Sequence, residues 1–262
     1  YCRNKKLINK LKKAIAGTPI RIFKKDHSAG YAGGEETSAI NHIEDKRIEP
    51  RLRPPFPPTC GLWGRPTLVN NVETFYDASL INAGEYENKR FITINGDCLW
   101  TGVYEFKEDW SIARILKHTG NYPDFDFFVQ VGGDASGEVL NSRQLKRPPG
   151  GSGSITVYSV IKYKPLELIS NWIKFFKQES CGKCTPCREG NYRLRELVLE
   201  NNINWQMMAD IMDTMRDSSF CGLGCAAPIA VSSYIRNVLT TMPDNKIRLP
   251  RVDRSSLCEC FS

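Results

Sequence analysis

Three cysteines within seven residues constrain the fold of this chain more than any other feature. Cys181, Cys184 and Cys187 follow a C-x2-C-x2-C spacing in the stretch ESCGKCTPCREG. This spacing lets one tight loop present three thiolates to a shared inorganic centre, with Gly182 easing the turn and Pro186 stiffening it. The spacing therefore predicts a metal site for which this loop supplies three ligands.

The fourth ligand has to come from another part of the chain. Bacterial ferredoxins begin with the same spacing and add a cysteine three residues later, but no cysteine follows Cys187 at that distance. Cys221, in SSFCGLGCAAP, is the candidate, and Cys225 competes with it. Four thiolates also suit a tetrahedral zinc site, although zinc is usually held by two separated C-x2-C pairs. The pattern favours a 4Fe–4S cluster, with zinc as the alternative.

The number and spacing of the cysteines favour metal binding over disulfide bonds. The chain has ten cysteines, and two-residue gaps suit a shared metal better than the disulfides of a secreted framework, which is the alternative. The cysteines outside the cluster motif are interpreted as buried or idle thiols, with a terminal metal at Cys258 and Cys260 as the other possibility. These five are Cys2, Cys60, Cys98, Cys258 and Cys260.

Composition excludes several functional classes. The 262 residues are 41% apolar and 25% charged, which is typical of a globular protein. The apolar runs are far shorter than the ~20 residues that cross a bilayer, so we expect no membrane insertion. The net charge of +7 comes from scattered Lys and Arg. Without a basic tract interleaved with aromatics, it argues against nucleic-acid binding and suggests acidic partners or anionic cofactors, or no specific meaning.

Periodicity predicts three modules. The first has an amphipathic helix over 4–16, ended by Gly17, a short strand over 20–23, a proline-rich extended loop over 50–58 and a helix over 67–81. The second contains strands and one helix in an α+β arrangement. The third is a bundle of four helices. The elements predicted for the second are a hairpin of strands 90–96 and 102–106, a helix over 111–120, and strands over 127–133 and 155–161; those of the third are helices over 165–178, 189–200, 205–216 and 228–241.

Four motifs in a fixed order carry a family resemblance. AGYAGGEET, GLWGRPTLVNNVET, ESCGKCTPCREG and SFCGLG occur along the chain in that order. Together, over about 28–240, they resemble the NADH-binding flavoprotein subunit of respiratory complex I. The flavin subunits of NAD-linked formate dehydrogenases and of soluble and bifurcating hydrogenases share the pattern. The resemblance implies an α+β, multi-domain fold: a partial Rossmann-like flavin domain over 1–85, a β-grasp-like domain over 86–163, and a four-helix bundle with an iron–sulfur cluster over 164–262.

The resemblance also assigns residues to cofactors. It implies that the 4Fe–4S cluster is held by Cys181, Cys184, Cys187 and Cys221, and it leaves Cys225 as an alternative ligand. The segment that lines the flavin and nicotinamide pocket in this family matches Gly34, Glu35 and Glu36, with Tyr31 beside it. The asparagines that hold FMN match Asn70 and Asn71. From the residues alone, GGEET is interpreted equally well as a turn and helix cap, and Tyr31 as a core aromatic.

The implied function is electron transfer in a multisubunit NAD(P)H-linked oxidoreductase. Hydride would pass from NADH or NADPH to FMN, and single electrons from FMN to the cluster and on to other iron–sulfur subunits. The resemblance implies a cytoplasmic protein, or one on the cytoplasm- or matrix-facing peripheral arm of a membrane complex. The glycine-rich FMN loop of the family has no counterpart in residues 1–30, so we expect the chain to begin within the flavin domain. The alternative is a shortened, non-catalytic homologue whose 4Fe–4S or zinc site only supports structure and docking.

Overall fold

A computed structural model describes residues 5–133, 136–242, 247 and 249. The chain divides into two compact units, Tyr1–Asn70 and Asn71–Ser262. The cysteines Cys2, Cys258 and Cys260, and with them the predicted terminal metal pair, lie outside the described residues.

The described part of the first unit has two α-helices, joined by irregular segments and short 3-10 turns. Helix α1 spans Lys5–Ala14, and the chain turns away at Gly17, whose φ of +80° suits a residue without a side chain. Helix α2 spans Glu36–Ile43. The strand predicted over 20–23 is wrong, because this stretch is irregular in the structure and exposes Ile20, Ile22 and Phe23. An isolated strand leaves its backbone groups without hydrogen-bond partners.

A buried carboxylate organises the loops of the first unit. The Glu44 side chain is only 4% exposed, and it forms ion pairs with Lys46 at 2.6 Å and Arg51 at 2.8 Å. Its Oε1 accepts the backbone N–H of Trp63 at 2.7 Å. Hydrogen bonding from Lys46 first, and then from Trp63 and Arg51, outweighs burial and lowers the pKa of Glu44 to about 2. Glu44 therefore ties the proline-rich segment and the Trp63 turn to the end of α2.

In the second unit, the described residues form one mixed five-stranded sheet in the order β2-β1-β5-β3-β4. The β1–β5 pair is parallel and the other neighbouring pairs are antiparallel. The alternation of apolar and polar residues predicts the hairpin of β1 and β2 and the strands β3 and β5. It does not predict the short strand β4. The strands are β1 Lys89–Gly96, β2 Gly102–Lys107, β3 Phe127–Val131, β4 Glu138–Asn141 and β5 Ser154–Ser159.

Helices cover both faces of this sheet. Along β3, which is buried throughout, Val129 and Val131 pack in the core that contains Ile115 of helix α4, which spans Ile112–His118. Phe128 points to the other face and enters a core made mainly by the C-terminal helices. A further helix, α3, spans Val72–Ala83 and precedes the sheet.

Helices α5 to α8 pack around that second core. It includes the methionines Met208, Met212 and Met215, so the Met-rich face is core filling, as predicted. Helices α6 and α8 begin earlier than the hydrophobic periodicity indicates. Their bounds are α5 Pro165–Glu179, α6 Thr185–Leu197, α7 Trp205–Ser218 and α8 Gly222–Asn237.

Helix α8 joins the sheet to the other helices. Ser233 Oγ accepts the buried N–H of Val139 at 2.8 Å, and Asn237 Nδ2 donates to the Val139 carbonyl at 2.7 Å. Tyr234 lies between Phe128 and Trp172, with ring centroids 5.1 and 5.4 Å away. The prediction of a mixed α and β fold is confirmed, and Phe128 and Val139 of the sheet lie in the core formed with the C-terminal helices. None of the helices in the described residues has the length and hydropathy needed to cross a bilayer.

Candidate metal centre

The cysteines predicted to share a metal come together where α6 and α8 begin. Cys184 is the N-cap of α6, and Cys187 lies in the first turn of that helix. Cys221 is the N-cap of α8, and Cys181 lies in the loop between α5 and α6. The Cys187 thiol interacts electrostatically with Cys184, Cys221 and Cys181. The loop cysteines and the remote cysteine therefore lie near one another.

Glycines make this convergence possible. Gly182 adopts a φ of +76°, which a side chain would disfavour. Its carbonyl accepts a hydrogen bond from Arg188 Nη1 at 2.8 Å. At Gly224, a Cβ would lie 2.4 Å from Ser219 Oγ and 3.0 Å from the Cβ of Cys187. The close approach of α8 to α6 at the site therefore requires glycine at position 224.

The electrostatic surroundings suit sulfur atoms that carry negative charge. The N-terminal ends of helices bear partial positive charge and unpaired N–H groups. Burial raises the pKa of the Cys221 thiol, and hydrogen bonds from the backbone N–H groups of Leu223 and Gly224 oppose that rise. Burial likewise raises the pKa of Cys187 to about 11, opposed by a hydrogen bond with Ser180. Buried thiolates of this kind need a cationic centre in place of their protons.

An orphaned hydroxyl supports the fit of an iron–sulfur cluster. Ser219 Oγ is buried and has no hydrogen-bond partner among the described residues, and it flanks Gly224 beside Cys187. Sulfide and thiolate sulfurs of a cluster can accept such a bond. In the described residues, no three or more His, Cys, Asp or Glu side chains are close enough together to hold a single metal ion. A 4Fe–4S cluster does not need such close ligands, because each cysteine binds a different iron. The residues present fit a 4Fe–4S cluster.

Cys225, the competing ligand, lies one turn after Cys221 on α8. Its Sγ is 3.7 Å from the carbonyl oxygen of Ser219, to which it donates. That contact turns it towards the backbone between α7 and α8. The other described cysteines are Cys60, which is exposed, and Cys98, which is partly buried.

The residues matched to the flavin segment have structural partners in the first unit. Glu35 is the N-cap of α2, and its Oε2 accepts hydrogen bonds from Ser38 N at 2.8 Å and Thr37 Oγ1 at 2.6 Å. Burial opposes ionisation of Glu35, but these hydrogen bonds prevail and lower its pKa. Arg53 pairs with both Glu35 and Glu36. Glu35 therefore caps helix α2, as the turn-and-cap interpretation of GGEET predicts.

The remaining flavin candidates are exposed or lie at a helix start. Tyr31 precedes a short 3-10 turn, Ala32–Gly34, and is about half exposed, so it is not a core aromatic. A Cβ at Gly34 would meet open space. Asn70 is exposed. Asn71 is the N-cap of α3, and its Oδ1 accepts Thr74 N at 2.8 Å.

Sequence reasoning missed the polar residues around Cys187. Asn191 is buried and lies one helical turn after Cys187, while Ser180 directly precedes the motif. A polar residue at i+4 from a candidate ligand, on the buried stripe of a helix, is the signal that could have identified Asn191.

Comparisons with known proteins identify the relatives of this chain. Residues 167–242 match the NADH-ubiquinone oxidoreductase-F iron-sulfur binding region. The chain is 31% identical to the F subunit of NADH-quinone oxidoreductase of Mycobacterium tuberculosis over 245 residues, which cover 80% of this chain and 54% of that protein. It is 30% identical over 244 residues to the alpha subunit of the NAD-reducing hydrogenase HoxS of Cupriavidus necator, covering 82% of this chain and 38% of that one.

A solved structure shares the fold. A chain of an NAD+-reducing nickel–iron hydrogenase in the H2-reduced state superposes with a TM-score of 0.73 at 29% identity, covering 79% of this chain and 40% of that chain. The chain thus spans about half the length of the curated NADH-quinone oxidoreductase relatives that it matches. It belongs to the family that contains the F subunit of NADH-quinone oxidoreductase and the corresponding subunits of NAD-reducing hydrogenases.

Proposed function

We propose that this chain is the electron-transfer part of a multisubunit NAD(P)H-linked oxidoreductase, with a 4Fe–4S cluster held by Cys181, Cys184, Cys187 and Cys221. The observation that carries the proposal is the meeting of these cysteines at the starts of α6 and α8. The match over 167–242 to an iron–sulfur binding region supports it.

The chain's own residues prepare the site for a one-electron carrier. A bound 4Fe–4S cluster accepts and releases electrons one at a time. The thiolates anchor it, and the helix N-termini and the N–H groups of Leu223 and Gly224 stabilise negative charge there. Burial of Cys184 and Cys187 limits the access of water on that side. Such thiolates require a reducing compartment, which supports a cytoplasmic or matrix-facing location.

The rest of the chain supplies the flavin side of the pathway in this proposal. Residues 1–85 form the C-terminal part of an FMN- and NAD(P)H-binding domain, 86–163 a β-grasp-like domain and 164–262 the cluster-bearing bundle. Other iron–sulfur subunits are the partners. The similarity to hydrogenase and NADH-quinone oxidoreductase subunits over some 80% of the chain supports a role on the flavin side, and the open space beside Gly34 leaves room for a ligand there. The flavin contacts are assigned to Tyr31, Gly34, Glu35, Glu36, Asn70 and Asn71.

A second candidate is a shortened homologue in which the metal site only supports structure and docking. The observation in its favour is that Glu35 and Asn71 already serve as helix caps. These residues therefore have a structural use that requires no flavin.

Metal analysis of anaerobically purified protein separates the two functions. The electron-transfer proposal predicts about four iron and four sulfide per chain and an EPR signal after reduction with dithionite. Zinc without iron would contradict it. Cys221→Ser should remove or alter the signal, whereas Cys60→Ser, at an exposed thiol, should leave it unchanged. Flavin content, measured on the same sample, then tests the assignment of the FMN residues.

A further inference from the structure

Two side chains, Ser180 and Asn191, approach the sulfur of Cys187. Together with Ser219, which lies on the other side of the gap at Gly224, they form what we call the Cys187 corner. Asn191 is 1% exposed in the middle of α6. Its Nδ2 donates to the Cys187 carbonyl at 2.8 Å and approaches Cys187 Sγ at 3.5 Å. An amide nitrogen carries two hydrogens, so it can serve both acceptors at once. The buried Asn191 side chain, on an otherwise apolar stripe of α6, can therefore donate a hydrogen bond to the sulfur.

Ser180 approaches the same sulfur from the loop side. Its Oγ lies 3.4 Å from Cys187 Sγ, and it accepts the N–H of Gly182 at 3.3 Å. A metal-bound thiolate has no proton to give, so the serine has to be the donor. Because Gly182 already occupies a lone pair of the serine oxygen, the hydroxyl proton is left for the sulfur.

Ser219 completes the corner from the side of α8. Its hydroxyl is buried without a partner among the described residues. A Cβ built at Gly224 would touch both Ser219 Oγ and the Cβ of Cys187, so the two side chains flank the same narrow gap. A buried hydroxyl without a partner is costly, and a sulfur of the cluster would supply the missing acceptor.

We infer that the Cys187 corner sets the midpoint potential of the cluster. Reduction adds negative charge to the cluster, and hydrogen bonds to its sulfurs stabilise the reduced state and raise the potential. The inference rests on the proposed function, and it assigns Asn191, Ser180 and Ser219 as positioning residues that act through sulfur.

The test is a redox titration followed by EPR on anaerobically purified chain. Asn191→Leu, Ser180→Ala and Ser219→Ala should each shift the midpoint potential to more negative values. Two controls remove similar groups away from the corner. Ser218→Ala changes an exposed serine of α7, and Asn237→Ser breaks an amide-to-carbonyl bond at the far end of α8. Both should leave the potential at the parent value.

Iron and sulfide content separates the possible failures. A parent chain without iron overturns the proposed function and this inference with it. A parent that holds the cluster, with variants that keep both the cluster and the parent potential, overturns only the inference. If Asn191→Leu fails to fold, the two serine variants decide the outcome, since each removes one hydroxyl. Shifts that appear equally in the control variants would also overturn it.

Discussion

At the scale of single residues, charge around the cysteine loop is expected to act on the cluster together with the hydrogen bonds. Arg188 is exposed and forms an ion pair with Glu189 at 2.8 Å. Lys183 lies partly buried within the loop itself, between Cys181 and Cys184. Of the two cations, Lys183 is therefore expected to influence the cluster more strongly.

Lys183→Glu should lower the midpoint potential of the cluster. The substitution replaces a positive charge with a negative one beside the cysteines, which disfavours the more negative reduced state. Lys174→Glu, at an exposed position of α5, is the matched charge reversal and should have a smaller effect. An unmoved or raised potential in the Lys183 variant, measured by EPR titration, would show that this residue does not tune the cluster.

Glu44→Gln should loosen the Trp63 turn in a pH-dependent manner. The pKa of Glu44 is lowered from 4.5 to about 2 in the folded chain. Its stabilising contribution is therefore present above about pH 4.5 and is lost as the pH falls towards 2. At neutral pH the variant should lose on the order of 1–3 kcal/mol of local stability, and the difference from the parent should shrink on acidification.

Hydrogen exchange of the peptide that contains the Trp63 amide measures this effect directly, because that N–H donates to Glu44. Glu87→Gln, in an exposed pair with Lys89, serves as the control and should leave exchange at Trp63 unchanged. Equal exchange in the Glu44 variant and the parent at neutral pH would show that the carboxylate does not hold the turn.

At the scale of elements, the starts of α6 and α8 show where sequence reasoning succeeds and where it stops. The cysteine spacing predicts which residues come together. Hydrophobic periodicity places the start of α8 at Pro228, whereas the helix begins at Gly222 with Pro228 inside it. A cysteine is an unusual N-cap, so the cap residue identifies neither helix start, and only α6 has a proline in its first turn as a familiar signal. The strand predicted over 20–23 fails for a related reason, since strand propensity does not reveal whether a neighbouring strand exists.

Gly224→Ala should destabilise the junction of α6 and α8. The added methyl would lie 2.4 Å from Ser219 Oγ and 3.0 Å from the Cβ of Cys187. Overpacking of this kind typically costs about 1–3 kcal/mol, more than the ~1 kcal/mol that alanine gains in a helix. We expect a lower melting temperature and less iron per chain.

Gly222→Ala is the matched control, because a Cβ there meets nothing within 4 Å. It should match the parent in iron content and melt at the same or a higher temperature. If the two glycine variants behaved alike, close helix approach would not be what position 224 provides.

At the scale of the whole molecule, α8 connects the metal centre to the sheet. Its first residue follows Cys221, and its last turns bind β4 through Ser233 and Asn237. The mixed α and β fold and most of its elements could be predicted from periodicity. The shared core could not, because Phe128 and Tyr234 are more than a hundred positions apart and meet only through tertiary packing.

Ser233→Ala should weaken this connection by about 1–3 kcal/mol, since it leaves the buried N–H of Val139 without its acceptor. Thermal unfolding should still show one transition for the sheet and the helices, at a lower temperature, because they share one core. Ser232→Ala removes only a bond to the Ile229 carbonyl in its own helix and should change stability little. Separate transitions for the sheet and the C-terminal helices in the parent would contradict the shared core.

Mössbauer spectroscopy of the anaerobic chain, enriched in iron-57, tests the central claim most directly. We predict the signal of one 4Fe–4S cluster with four cysteine ligands, altered in Cys221→Ser and unchanged in Cys225→Ser. A chain without iron, or a cluster signal that Cys225→Ser changes and Cys221→Ser does not, would contradict the assignment of the site.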